Sequence, residues 1–261
     1  YTSIDLIDIT VSGYYVKGGG SDTYGGGIWI YGSTLNLCGS TSVADNYTNY
    51  GAVNGNVMSG LPDPDVHLWD TSAIEGNFAR DTYGAAGLTL YCTATMHGSS
   101  AVRNNVGGPR TGGVWVGYNS TFVMEDAASV SGNSTATGEA GGIFSQRNAG
   151  YPAVCVELRD CSTVSANSSA VGAGGINLGC SALITDEASI TGNTAAGNGG
   201  GVYMPQLPDP TTLSIESDAT VTGNTAASGG GVFSEPDPEN SVSGGGAVTG
   251  NTPDNCVGLT C

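Results

Sequence analysis

Positive charge is nearly missing from this chain. Its 261 residues include only six Lys and Arg (Lys17, Arg80, Arg103, Arg110, Arg147 and Arg159) against 23 Asp and Glu, a net charge of −17. Nucleic-acid binders neutralise phosphates with Lys and Arg, and anionic membrane surfaces are held the same way, so neither partner is expected. No apolar run reaches the roughly 18 residues of a transmembrane helix, which argues against direct membrane insertion. Helical periodicity is absent, and 44 glycines oppose helices. No CxxC pair accompanies the seven cysteines, and only His67 and His97 stand beside them, so a structural zinc site is not expected. The glycine runs lead into strand-like sequence, so they do not read as phosphate-binding loops. No cofactor or resident metal is implied. The first residues lack the basic and apolar regions of a signal peptide, and a secreted form is expected to have shed one.

What is present is repetition. Val or Ile, two small or polar residues, then Asn occurs at Val43–Asn46, Ile74–Asn77, Val102–Asn105, Val130–Asn133, Val164–Asn167, Ile190–Asn193, Val221–Asn224 and Val248–Asn251. Val11–Tyr14 is a ninth copy with Tyr in the last slot. Asn46 to Asn251 spans 205 residues in seven steps, about 29 per repeat, in the range of solenoids and propellers. A second element follows most of these asparagines, glycine then an apolar residue: Gly27-Ile28, Gly87-Leu88, Gly113-Val114, Gly142-Ile143, Gly175-Ile176, Gly201-Val202 and Gly231-Val232. Ala52-Val53 is a weaker copy, and Gly258-Leu259 fits the same slot. A third element precedes each valine phrase, in alternating pairs such as Leu35/Leu37, Phe122/Met124 and Leu213/Ile215. That alternation is the period of a strand with one buried face.

Three short strands per repeat, stacked in phase, make an all-β, single-stranded parallel β-helix. The reading is one domain over residues 1–261, with about nine coils and incomplete first and last coils. Asn46, Asn77, Asn105, Asn133, Asn167, Asn193, Asn224 and Asn251 are expected to form an amide ladder along one inner corner, because buried polar groups need partners. Glycine before a strand serves a corner with φ > 0 or a close backbone approach. A β-propeller would want longer, four-stranded repeats.

The phrases SITGNTAAGNGGGVYM and TVTGNTAASGGGVFS resemble repeats of the polymorphic outer membrane protein type. The resemblance covers nearly the whole chain and is densest from Val130 to Asn251. It implies a right-handed parallel β-helix at a cell surface or secreted, commonly in adhesion or surface coating. The Phe common before the asparagine in that family is Val or Ile here, and no membrane barrel follows.

Catalytic chemistry is weakly signalled. A glycosidase needs paired carboxylates across a cleft. The candidates Asp63/Asp65, Asp209 and Asp237/Glu239 sit in Pro-Asp-Pro loops that emerge from one corner and read as stiff exposed insertions. A calcium site there is the lesser alternative. His67 alternates with Val66 and Leu68 and is expected outside; His97, just before a corner, is expected to be a surface histidine without a neighbouring acid. Trp29, Trp115, Phe144, Tyr203 and Phe233 follow the glycine-apolar pairs and should form an outward aromatic column, suited to sugar stacking or lateral contact unless loops cover it. Sequons place glycosylation candidates at Asn46, Asn119, Asn133 and Asn167. Three coincide with the ladder, which leaves Asn119 the best acceptor.

Disulfides are expected for an oxidising compartment. Cys155 and Cys180 lie near equivalent strand positions in consecutive coils, about 4.8 Å apart, within disulfide reach. Cys155–Cys161 and Cys161–Cys180 remain alternatives. The odd count leaves one thiol over. The head of the chain lacks a glycine strand and its tail, from Cys256, resembles one, so head-to-tail stacking into an open filament is expected, with Cys256 or Cys261 available between subunits. The competing reading is a segment of a longer chain. The functional expectation is a non-enzymatic extracellular structural or adhesive β-helix that self-associates and has possible glycan contacts. The alternative is a β-helix that binds or cleaves carbohydrate.

Overall fold

The computed structural model describes residues 2–15, 26–80, 84–146 and 154–261. Lys17 and Arg147 fall outside them. Among the described residues there are strands and no helix, so no helix is long and apolar enough to cross a membrane. The strands stack in parallel as a β-solenoid of about eight turns. Three sheets, here A, B and D, each contain nine strands. A fourth, sheet C, has six two-residue strands, so most coils hold four strands rather than the expected three. In one coil the chain runs from Val114–Val116 in sheet D to Thr121–Met124 in A, Ser129–Ser131 in B and Ser134–Thr135 in C.

Alternation in sheet A buries both members of each apolar pair. Leu35/Leu37, Val66/Leu68, Phe122/Met124 and Val156/Leu158 are all fully buried, and neighbouring coils align them in register. Val43, Ile74, Val102, Val130, Val164, Ile190 and Val221 form the matching column from sheet B. Val53, Leu88, Val114, Ile143, Ile176, Val202 and Val232 close the core from sheet D. A slip of one residue would turn a strand's apolar set outward.

The asparagines line the corner between sheets B and C, and from Asn46 to Asn224 each is at most 1% exposed. In every coil the Asn backbone N–H and Nδ2 donate to Oδ1 of the next Asn, at 2.9–3.0 Å. The second Nδ2 hydrogen goes to the carbonyl of the Val or Ile that opens the phrase one coil earlier, as from Asn133 to Val102 at 2.9 Å. This is why Val and Asn recur together: one side chain fills the core while its carbonyl holds the next coil's amide. At Asn251 the ladder passes to Oδ1 of Asn255, which takes the place of a further rung.

The doubled glycines are the other half of this corner. A Cβ on Gly142 would lie 2.5 Å from the Gly175 carbonyl oxygen and 3.0 Å from Asn167 Nδ2. Close approach of backbone to the ladder, and not a positive φ, excludes a side chain there. Positive φ occurs instead just before each ladder Asn, at Asp45, Gly76, Asn104, Gly132, Ala166, Gly192, Gly223 and Gly250.

The corner between sheets A and B is built differently. Its turn residue is again left-handed: Asp8, Gly39, Asp70, Gly98, Asp126, Asp160, Asp186 and Ser217. From Asp70 onward the carboxylates accept the backbone N–H of the turn residue one coil earlier. Asp70 bonds Gly39 (2.9 Å), Asp126 bonds Gly98 (2.8 Å), Asp160 bonds Asp126 (2.9 Å) and Asp186 bonds Asp160 (3.3 Å). All of these aspartates are exposed. Asp8 accepts from Ser40 instead, through N–H and Oγ, and these bonds hold its carboxyl below the ordinary aspartate range.

Cys155 and Cys180 form a disulfide across neighbouring coils. Cys256 bonds Cys261 within the chain, so neither serves a bond between subunits. The pairing is local: five residues separate them, and strand Cys256–Val257 is itself docked on Val232–Ser234. Three thiols remain free rather than one: Cys38, Cys92 and Cys161. Burial pushes the Cys92 thiol up to about 12, so it stays protonated and inert at neutral pH.

Candidate functional site

Register in sheet D aligns one outward position across all nine strands: Trp29, Asn54, Thr89, Trp115, Phe144, Asn177, Tyr203, Phe233 and Val257. The expected aromatic column is therefore real as an alignment, but it is not uniformly exposed. Trp115 is 3% exposed. It meets the Phe144 ring edge-on at 5.1 Å, and the Arg110 guanidinium lies 5.0 Å from its centroid. Trp29, Phe144, Tyr203 and Phe233 are half-buried. Alternation predicts which face a residue takes, not whether a neighbouring corner folds over it.

Asn177 interrupts the column between Phe144 and Tyr203. Where a ring is missing, two clefts open, each about 310 Å³. Both are bordered by Asn177 and Glu139. One extends past Phe144 and Gln146 to Pro205 and Leu207, and the other past Gly172 and Asn198 to Tyr203. Tyr203 stacks on Phe233 with ring planes 8° apart and donates its hydroxyl to Glu235 at 2.8 Å. Burial and this hydrogen bond push the Tyr203 phenol well above its ordinary range.

Three polar atoms bordering the clefts, Asn177 Oδ1, Glu139 Oε2 and Gln146 Oε1, are buried without a partner, as is Trp115 Nε1 in the coil before Phe144. Asn177 is 8% exposed, and its Nδ2 is fixed by donation to the Glu139 carbonyl at 3.2 Å, which leaves Oδ1 as the open atom. Glu139 uses Oε1 to pair with Arg110 at 2.8 Å. Three of the four open atoms are acceptors. Unpaired buried acceptors are costly, so the clefts suit a molecule that brings donors.

His97 is not the isolated surface histidine expected. Its Nδ1 meets Glu125 Oε1 at 2.5 Å, and its ring stacks on Trp69 with centroids 3.7 Å apart. The acid comes from the next coil, 28 residues away, which no local phrase reveals. His97, Glu125 and Asp126 place possible metal-ligand atoms within 4.8 Å of one another. Glu125 also lies 3.9 Å from the Arg159 guanidinium, which pairs more closely with Glu157 at 2.8 Å. His67 is half-buried on the outer face of sheet A, and burial lowers its imidazole below the ordinary histidine range.

Of the sequon asparagines, Asn46, Asn133 and Asn167 are sealed in the ladder and out of reach of a glycan-transferring enzyme. Asn119 lies exposed in the turn before strand Thr121–Met124. The Pro-Asp-Pro loops all join sheet D to sheet A, and Asp63, Asp209 and Glu239 are exposed at their tips.

A second outer surface is chemically uniform. On sheets B and C three ranks of hydroxyls align in register: Ser129, Thr163, Ser189 and Thr220; Ser131, Ser165, Thr191, Thr222 and Thr249; Ser134, Ser168, Thr194, Thr225 and Thr252. One coil earlier the same face carries Arg103, paired with Glu75 at 2.7 Å.

Compared with family models, curated proteins and solved structures, the chain finds no match, the polymorphic outer membrane protein type included.

Proposed function

We propose that this chain is a non-enzymatic extracellular or cell-surface β-helix with a structural or adhesive role, assembling end to end with further copies. The observation that carries the reading is the in-register stacking of parallel strands from coil to coil, a contact that any coil can repeat against another. Among the described residues, strands Ser3–Ile7 and Ser241–Ser243 are the outermost of sheet A. Ile4 and Ile7 are 48% and 59% exposed on the first of these. An open edge of such a stack is a template for another chain, and a contact between unlike ends propagates without closing. Disulfides at Cys155–Cys180 and Cys256–Cys261 are consistent with an oxidising compartment, and the repeat resemblance points to the same setting. Light scattering after size exclusion, with negative-stain imaging, tests this: rods whose length grows with concentration are expected. A monodisperse monomer at high concentration refutes it.

The second reading, a carbohydrate-contacting β-helix, is favoured by one observation, the pair of clefts around Asn177.

A further inference from the structure

We propose that the gap at Asn177 is a binding site for a neutral, hydroxyl-rich oligosaccharide. This rests on the carbohydrate reading above and is independent of assembly. The site is built from three features that converge on one coil. First, the aromatic column stops at Asn177 and resumes at Tyr203, whose ring lies stacked on Phe233 and borders the cleft. Phe144 borders the second cleft. Phe144 and Tyr203 are thus two coils apart, about 10 Å at the strand spacing, and each offers a ring to one of the two clefts that meet at Asn177. Aromatic faces take the apolar C–H face of a sugar.

Second, the open polar atoms have one sense. Asn177 Oδ1, Glu139 Oε2 and Gln146 Oε1 all accept and none has a partner. A sugar offers several hydroxyl donors at ring-scale spacing, whereas a phosphate or carboxylate ligand offers none and would meet Glu139. Third, the cleft chemistry is set before any ligand arrives. Asn177 is held by the Glu139 carbonyl, and Glu139 is held by Arg110. Preorganised acceptors lose little on binding. Two clefts that share Asn177 and Glu139 can take successive units of one chain, which favours an oligosaccharide over a monosaccharide.

The test uses the whole protein and a panel of neutral hexaoses with cello-, chito-, xylo- and malto-type linkages, read by calorimetry. At least one is expected to bind. Asn177→Phe fills the gap with the ring the column lacks, and is expected to abolish binding while leaving far-UV circular dichroism unchanged. Tyr203→Ala and Gln146→Ala should each weaken binding by about tenfold, one stacking or hydrogen-bond contact apiece. These two variants carry the test if Asn177→Phe does not fold. Binding that survives all three substitutions places the glycan elsewhere and overturns this site, while leaving the carbohydrate reading intact. Failure of every hexaose to bind overturns both. Tighter binding of a lysine-rich peptide than of any sugar overturns the site as a glycan site, because the acceptors then serve ammonium groups.

Discussion

Two corners of this solenoid solve the same problem with different side chains. At the corner between sheets A and B, and at the one between B and C, the chain turns through a left-handed residue. At both, a side-chain oxygen accepts a backbone N–H from the coil before. On the A–B side that oxygen is a carboxylate in water; on the B–C side it is an amide inside the core. Solvent decides between them. Carboxylates only accept, and at about 4.8 Å their repulsion is tolerable where water screens it. An amide both accepts and donates, so each rung satisfies the next and the stack needs no ion. The pattern of interruption agrees. Gly39, Gly98 and Ser217 stand in the aspartate run, each without a carboxylate. From Asn46 to Asn251 the asparagine run is unbroken.

Exchanging the two chemistries is the sharpest test of this contrast. Asn167→Asp keeps an acceptor for Asn133 but sets an oxygen against the Val130 carbonyl, which loses this donor, and against Asn193 Oδ1, which keeps only the backbone N–H of residue 167. As a buried, uncompensated charge it should cost about 3–5 kcal/mol at neutral pH. Its pKa in the fold is raised, so the loss is full above that raised value, shrinks as pH falls below it and the proton returns a donor, and loses its ionic part below the ordinary aspartate value of about 3.9. Urea denaturation at pH 7 and pH 4 reads both the size and the sign. Asn193→Leu removes donors and acceptor together without a charge, and should cost roughly 1–3 kcal/mol. Equal costs for the two variants would mean that packing, not the amide, holds the corner.

At the aspartate corner Asp160→Asn retains an acceptor for the Asp126 N–H and should change stability by less than about 0.5 kcal/mol. A loss comparable to that of Asn193→Leu would erase the distinction between the corners. The smallest effect concerns the backbone they share. Ala166 is left-handed, at φ 54°, where most coils have Gly. Ala166→Gly should relieve about 1–2 kcal/mol of strain against about 0.5–1 kcal/mol of chain entropy, a small net gain seen as a higher melting temperature.

The asparagine corner was legible because three in-phase signals meet there: Val or Ile, Asn and the doubled glycine. The aspartate corner was not, although Asp70, Asp126, Asp160 and Asp186 each stand four residues before a sheet B valine or isoleucine. Glycine and serine break that column, and acids in an acidic chain read as net charge. Contacts between coils were harder still. His97 finds Glu125, and Arg110 finds Trp115 and Glu139, only once the stacking is known. The cleft at Asn177 is marked in the sequence by an aromatic that is missing, which a search for aromatics passes over.

The ladder's hydrogen bonds also have a direction. Between Asn46 and Asn251 each rung sends one Nδ2–H toward the later coil and turns its Oδ1 toward the earlier one, while the other Nδ2–H returns to a carbonyl of the earlier coil. Strand dipoles in a sheet alternate and leave little net moment; these amides do not alternate, so theirs add in series. The ladder is therefore an electrical vector, with its positive end at Asn251 and its negative end at Asn46. Copies joined end to end in the same sense extend that vector, whereas copies lying side by side are drawn into opposite orientations. The core amides thus bias the polarity of any bundle these molecules form, although none of them reaches its surface.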